Sequence, residues 1–240
     1  MNYKSYYDIL INGMPETLTV KRIVDGRSWK GAELNDGSFG IAMNTGGESI
    51  QRRFGTLVGL GAKTAASAVL SWNMQEASEA MAVINAFYNT PQRLKALNAG
   101  ISYSRSCTEG FDTHGKRIAL IGHLRFDEDV LAGAEKVDII ERDPESGDYP
   151  DSACEYILPD CDMVIITGSA AINKTMPRLL ELCENAVTIV VGPTVPMCPQ
   201  LRTLGIDRLS GLCVTDKQGL NDWMIKERGN PYRFGETFML

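Results

Sequence analysis

The 240-residue chain, 44% hydrophobic and 22% charged, has the composition of a globular protein with one or two buried cores, which excludes disordered, collagen-like and low-complexity classes. Its 24 Lys and Arg against 30 Asp and Glu leave a net charge of −6, an argument against a nucleic-acid binder that works by phosphate neutralisation. No apolar run approaches the roughly 18 residues of a membrane span, and MNYKSYYDIL lacks the basic, apolar and small-residue pattern of a removable signal, so a cytoplasmic protein is expected.

In chain order, a short helix is expected over residues 3–11, then strands over Leu18 to Val24, Ser28 to Leu34 and Phe39 to Asn44, where apolar and β-branched residues alternate. Asn35-Asp36-Gly37 supplies the turn chemistry that joins the last two as a hairpin. Ala-rich segments at Lys63 to Leu70 and Met74 to Asn89 read as helices, the second capped by Asn73, closed by Pro91 and carrying one apolar stripe through Ala77, Ala80, Met81, Ile84 and Tyr88.

A change of grammar follows. Residues 1–110 carry 11 basic and 9 acidic groups, whereas residues 111–240 carry 13 and 21. That shift, with the Gly-, Ser- and Thr-rich stretch between Ala99 and Gly115, predicts a linker and two domains, 1–110 and 111–240. The second domain has continuous apolar runs at Arg117 to Ile121, Val137 to Ile140, Met163 to Thr167 and Val187 to Val191, with a weaker one at Leu209 to Val214, as buried parallel strands do. A helix is expected over Met176 to Cys183, which completes a strand–helix–strand alternation. The fold class predicted is therefore α/β: a small α+β domain built on a three-stranded sheet with helices, then a Rossmann-like, mostly parallel sheet.

In such a sheet ligands bind beyond the carboxyl ends of the strands. Those ends present Gly122 and His123, then Glu141, then Thr167, Gly168 and Ser169, then Gly192 and Thr194. Glu141 lies about 20 residues after the Gly122 turn, the place of a ribose-binding acid, but the single glycine of IGHLRFDED falls short of GxGxxG, so NAD(P) is not expected. Asn173 and Thr175 fall at the predicted helix start, where they either hold an anion with the free N–H groups or simply cap the helix. His123, with an ordinary pKa of about 6.5, is either a metal ligand or proton carrier, or a hydrogen-bonded loop histidine.

Six cysteines without a CxxC pair fit reduced thiols, and only two histidines exist, so a metal must lean on Cys, Asp or Glu. Cys198, after the fourth strand, is either a partner of His123 or a small buried hydrophobe; Cys161 and Cys183 read as core. The 13 acids between Asp127 and Asp162 lack calcium-loop spacing. The metal candidates are His123, Glu141 and Cys198.

The segments SWNMQEASEAMAVINAFYN (71–89), CDMVIITGSAAINKT (161–175) and VGPTVPMCPQLRTLGIDRLSG (191–211) resemble a family of prokaryotic two-domain proteins labelled as heavy-metal chelation. The resemblance spans nearly the whole chain and implies an N-terminal domain like the capping domain of enolase, an atypical Rossmann-like domain, and a cleft between them. Leu124-Arg125-Phe126 departs from the aromatic and proline expected there. The expected function is binding of a small anionic molecule or of a divalent or heavy-metal ion in the interdomain cleft, in metal homeostasis, with an enzyme acting on a small polar metabolite as the alternative; Asn44 and Asn73 are expected on the cleft's other wall. A homodimer is expected from size and class.

Overall fold

The computed structural model describes residues 4–101, 107–124 and 130–240; residues 102–106 of the predicted linker, Tyr3 and Arg125-Phe126 lie outside the described residues. The first unit runs α1 (Lys4–Asn12), β1 (Val20–Asp25), β2 (Trp29–Leu34), β3 (Phe39–Met43), α2 (Ala62–Ala66) with a 3-10 turn (Ser67–Leu70), α3 (Met74–Tyr88) and α4 (Pro91–Ala96). The three strands form an antiparallel sheet in sequential order. Gly37, at φ +86°, makes the predicted turn between β2 and β3.

Two expectations are corrected here. Pro91 does not close α3 but opens α4, because a proline at the first helical position forfeits only an N–H that has no helical partner anyway. Nor does α3 bury one stripe: twelve of its fifteen residues are buried. One side packs on the sheet, where Gly40 lets the α3 backbone come so close that a Cβ would sit 2.1 Å from Ala86 N and 2.6 Å from Ala82 O. The opposite side packs on α2 and the second unit, so a helix buried nearly all round is the central post of the fold.

The second unit runs β5 (Arg117–Ile121), β6 (Lys136–Glu141), β7 (Tyr149–Pro150), α5 (Cys154–Ile157), β8 (Met163–Thr167), α6 (Met176–Leu182), β9 (Val187–Val191), β10 (Arg208–Val214), α7 (Lys217–Lys226) and β11 (Gly235–Met239), preceded by the two-residue β4 (Gly100–Ile101). Its sheet has the order β4-β11-β10-β9-β8-β5-β6-β7, parallel except at β11 and β4. The strands from β5 to β10 thus follow the 3-2-1-4-5-6 order of dinucleotide-binding sheets, with the order reversing between β5 and β8. Between β5 and β6 the described residues form turns rather than a helix. The fold class is as expected.

The two units share their core. The outer face of the first sheet, through Val24, Trp29 and Ile41, packs on Leu220, Trp223 and Met224 of α7 and its surroundings. This is why every residue of β2 is buried, Lys30 and Glu33 included. Burial works against the charge of Glu33, but hydrogen bonds from Arg22, Lys21 and Lys217 outweigh it and bring its pKa down to about 2.

The loop after β9, Pro193 to Cys198, is held against α3 by two buried amides. Asn85 Nδ2 donates to Ile41 O (2.8 Å) and Thr194 O (3.0 Å). Asn89 donates to Val195 O (2.9 Å) and Leu212 O (3.1 Å) and accepts from Met197 N (2.9 Å). Tyr7 Oη donates to Ala171 O (2.8 Å), and Met43 N donates to Thr194 Oγ1 (3.0 Å). The 192–198 loop is therefore a bonded seam between the units.

Candidate functional site

The point where the strand order reverses is open. A cavity of about 290 Å³ lies beyond the carboxyl ends of β5, β6 and β8, and every residue lining it belongs to the second unit. Its apolar walls include Ile121, Ile140, Ala170 and Leu179. Polar groups converge on it from two of the strand ends: Glu141 at the end of β6, and Thr167, Ser169, Asn173 and Thr175 between the end of β8 and the start of α6.

Gly122 makes the convergence possible. At φ +100° it occupies backbone space that L side chains avoid, and a Cβ there would stand 3.1 Å from Thr167 Cγ2 and 3.8 Å from Glu141 Oε1. The chain so turned aims its next N–H at Glu141: Oε1 accepts from His123 N (3.1 Å), and Oε2 accepts from Arg142 N (2.7 Å). Each carboxylate oxygen keeps acceptor capacity for a ligand. Beyond β8, Thr167 Oγ1 and Ser169 Oγ lie 3.1 Å apart. Asn173 Oδ1 accepts from Thr175 N (3.1 Å) and from Thr175 Oγ1 (2.6 Å), while the Asn173 amide nitrogen has no acceptor among the described residues. The cavity thus offers a fixed acceptor, Glu141, and a free donor, Asn173.

The cations near the cavity are already paired. Arg178 makes a two-bond fork to Glu155 (2.9 and 2.6 Å) and reaches Glu181 at 3.0 Å, and Arg142 lies 3.6 Å from Asp151. Thr175 makes no side-chain cap at the start of α6, which is seven residues long.

His123 stands beside Glu141 but does not line the cavity. Its Nε2 pairs with Asp148 Oδ2 at 2.6 Å, while Nδ1 is 3.8 Å from Glu141 Oε1. Asp148 also accepts from Glu145 N, which folds the loop after β6 back on itself. The hydrogen bond to Asp148 outweighs a small desolvation and, with the nearby acids, raises the His123 pKa above 6.5, while Asp148 is lowered. Because the His123 value is raised and the Asp148 value lowered, the pair's contribution is lost as pH rises through the folded His123 pKa and also as it falls through the folded Asp148 pKa. The ring protons of His123 are expected to titrate above pH 6.5 and to move back toward it in Asp148→Asn; a wild-type midpoint below 6.5 contradicts the pairing.

The other expected site residues hold the fold instead. Asn73 caps α3, accepting from Glu76 N (3.0 Å) and donating to Ile50 O (2.8 Å). Asn44 donates to Gly26 O and accepts from Gln75 and Gly46. Gly192, at φ +114°, turns the chain into the seam where Thr194 is buried, and Gly168 lets the two loops touch, a Cβ there meeting Val195 N at 2.9 Å. Cys198 is fully buried, with its Sγ on Gln200 Oε1 (3.2 Å) and Tyr88 alongside. Burial raises its pKa, the opposite of a ready thiolate ligand. All six cysteines are free and buried, and no group of three His, Cys, Asp or Glu able to hold a metal occurs among the described residues. Among the described residues, then, protein donors do not assemble a heavy-metal site, and Cys198, buried against Gln200 and Tyr88, does not join His123 and Glu141 in one.

Asp148 and Arg178 were not singled out from the sequence. Asp148 sits in a Ser146-Gly147-Asp148 turn signal just past a strand, and Arg178 follows the helix start by two residues, cues of position but not of partner.

Comparison with known proteins gives a coherent set of relatives. A family model, DUF364, described as "Putative heavy-metal chelation", matches residues 111–239, and DUF4213, with the same description, matches residues 7–88. The chain is 35% identical to a DUF364-family protein of unknown function from Desulfitobacterium hafniense, whose crystal structure superposes with a TM-score of 0.88 over 99% of this chain and 97% of that one. A second such structure, from Pyrococcus horikoshii, has a TM-score of 0.81 at 20% identity over 100% of this chain and 99% of that one and shows the likeness of fold. An uncharacterised protein of Methanocaldococcus jannaschii is 32% identical over 108 residues, 42% of this chain, and the match spans less than half of that relative's length, 42%.

Proposed function

The chain belongs to the DUF364 family, and on that premise we propose that it binds a small organic molecule rich in hydrogen-bond donors in the cavity where the strand order reverses, with any heavy metal arriving as part of that molecule. One observation carries this reading: Glu141 is pinned by two backbone N–H groups at the rim of an otherwise half-apolar cavity, a carboxylate held ready to accept from hydroxyl or amino groups. At about 290 Å³ the cavity suits a single ring with its substituents. The site proposed lies within the second unit rather than in the interdomain cleft, since every residue lining the cavity belongs to that unit.

The test is an inventory of the purified protein, organic ligands by mass spectrometry and metals by elemental analysis, before and after gentle unfolding and refolding. Glu141→Ala is expected to weaken or strip the organic ligand by at least tenfold, the worth of one hydrogen bond to a charged group, and to strip any metal with it. Metal that rebinds to protein freed of organic ligand overturns the proposal.

A second reading, catalysis on the bound molecule, is favoured by the His123–Asp148 pair, an imidazole oriented by a carboxylate beside the cavity rim. On that reading His123→Gln keeps the ligand and loses its turnover.

A further inference from the structure

A larger cavity, about 560 Å³, opens on the seam between the β2–β3 turn, the junction of α3 with α4, and the start of α7, and it shares no lining residue with the first. Arg93, on α4, lines it. The guanidinium lies over the Phe87 ring, 3.8 Å from its centroid, with Tyr88 at 5.5 Å. No carboxylate or carbonyl among the described residues accepts from it, and its Nε is buried without a partner. Stacking buries the Nε edge, so the part of this half-buried side chain that a ligand in the cavity can meet is the rest of the guanidinium.

No neighbouring carboxylate among the described residues pairs with it directly. Lys217, on the same cavity, is tied to Glu33 Oε1 (3.1 Å) and Gly37 O (3.4 Å), and the Asp36 carboxylate is engaged by Ser38 N and Oγ in its own turn. Arg93 thus lines the cavity without an ion-pair partner among the described residues, held in place by stacking, and its planar group matches a carboxylate or a phosphate. Gln92 and Thr90 flank it with further hydrogen-bonding groups, and Phe39 and Val214 supply apolar wall from both units.

We infer that this seam cavity is a second binding site, for a small organic oxyanion whose carboxylate or phosphate pairs with Arg93. A ligand there touches both units at once, so it tightens the seam as it binds. The inference is independent of the proposed function of the first cavity.

The experiment is calorimetric titration of the whole protein with citrate and with inorganic phosphate, alongside Arg93→Met and Glu141→Ala. Saturable binding of at least one probe is expected in the wild type, weakened at least tenfold in Arg93→Met, since a charge-assisted fork is lost, and unchanged in Glu141→Ala. Thermal unfolding of the wild type should move upward with the probe, and that of Arg93→Met should not. If circular dichroism shows that Arg93→Met does not fold, Arg93→Gln, which keeps a stacking amide without the charge, decides in its place. Absence of saturable heat with both probes up to ~10 mM, or equal affinity in a folded Arg93 variant, overturns the inference.

Discussion

Gly40→Ala is expected to cost the fold more than about 4 kcal/mol and to leave little native protein. The new methyl would stand 2.1 Å from Ala86 N, 2.5 Å from Asn85 C and 2.6 Å from Ala82 O, all backbone atoms of α3. A clashing side chain can turn away, but a helix backbone can yield only by sliding off the sheet. That shift would also carry Asn85 and Asn89 away from the seam loop, so packing and hydrogen bonding fail together. Urea unfolding followed by circular dichroism checks this; a variant within 1 kcal/mol of wild type would show that α3 does not sit where the sheet places it.

Asn89→Ala is expected to destabilise by about 3 kcal/mol or more, since three buried backbone groups lose their partner at about 1 to 3 kcal/mol each. The groups are Val195 O, Leu212 O and Met197 N, and Asn89 itself is 2% exposed. The same denaturation measurement reads it, and a loss below 1 kcal/mol would mean that water or relaxation replaces the amide.

The parts of this fold that were legible in the sequence are those whose signal is local. β5, β8 and β9 match their predicted bounds to the residue because strands covered on both faces must be apolar throughout. The elements that escaped are made by distant partners: β4 and β7 have two residues each, β11 (GETFM) begins on glycine and carries Glu236 and Thr237, and α7 contains Gly219 and shows little apolar excess. None of these segments repeats an apolar period of its own.

The candidate site divides in the same way. Gly122 and Glu141 were visible from their spacing and their place at strand ends, and the structure brings them to the same cavity. Asn44, Asn73 and Thr194 read as ligand groups in the sequence, but their hydrogen bonds go to backbone and, for Asn44, also to Gln75, which sequence cannot distinguish from a waiting site. The better clue lay in α3: Asn85 and the C-cap Asn89, spaced by four where the second half of the helix is otherwise apolar, mark one polar line that needed buried partners.

The position of β11 bears on how the molecule is made. It lies between β10 and β4, so Phe238 pairs with Ile101 and Met239 with Gly100 across more than half the chain. Until that pairing forms, residues 235–239 present a raw strand edge, and the stretch that leads out of the first unit has no sheet to join. Such remote closures are slow, because the entropy of a long loop is lost before any contact repays it. Pairing of β4 with Phe238 and Met239 is therefore expected to form late rather than to nucleate the fold, and it covers the β11 edge only at those two residues.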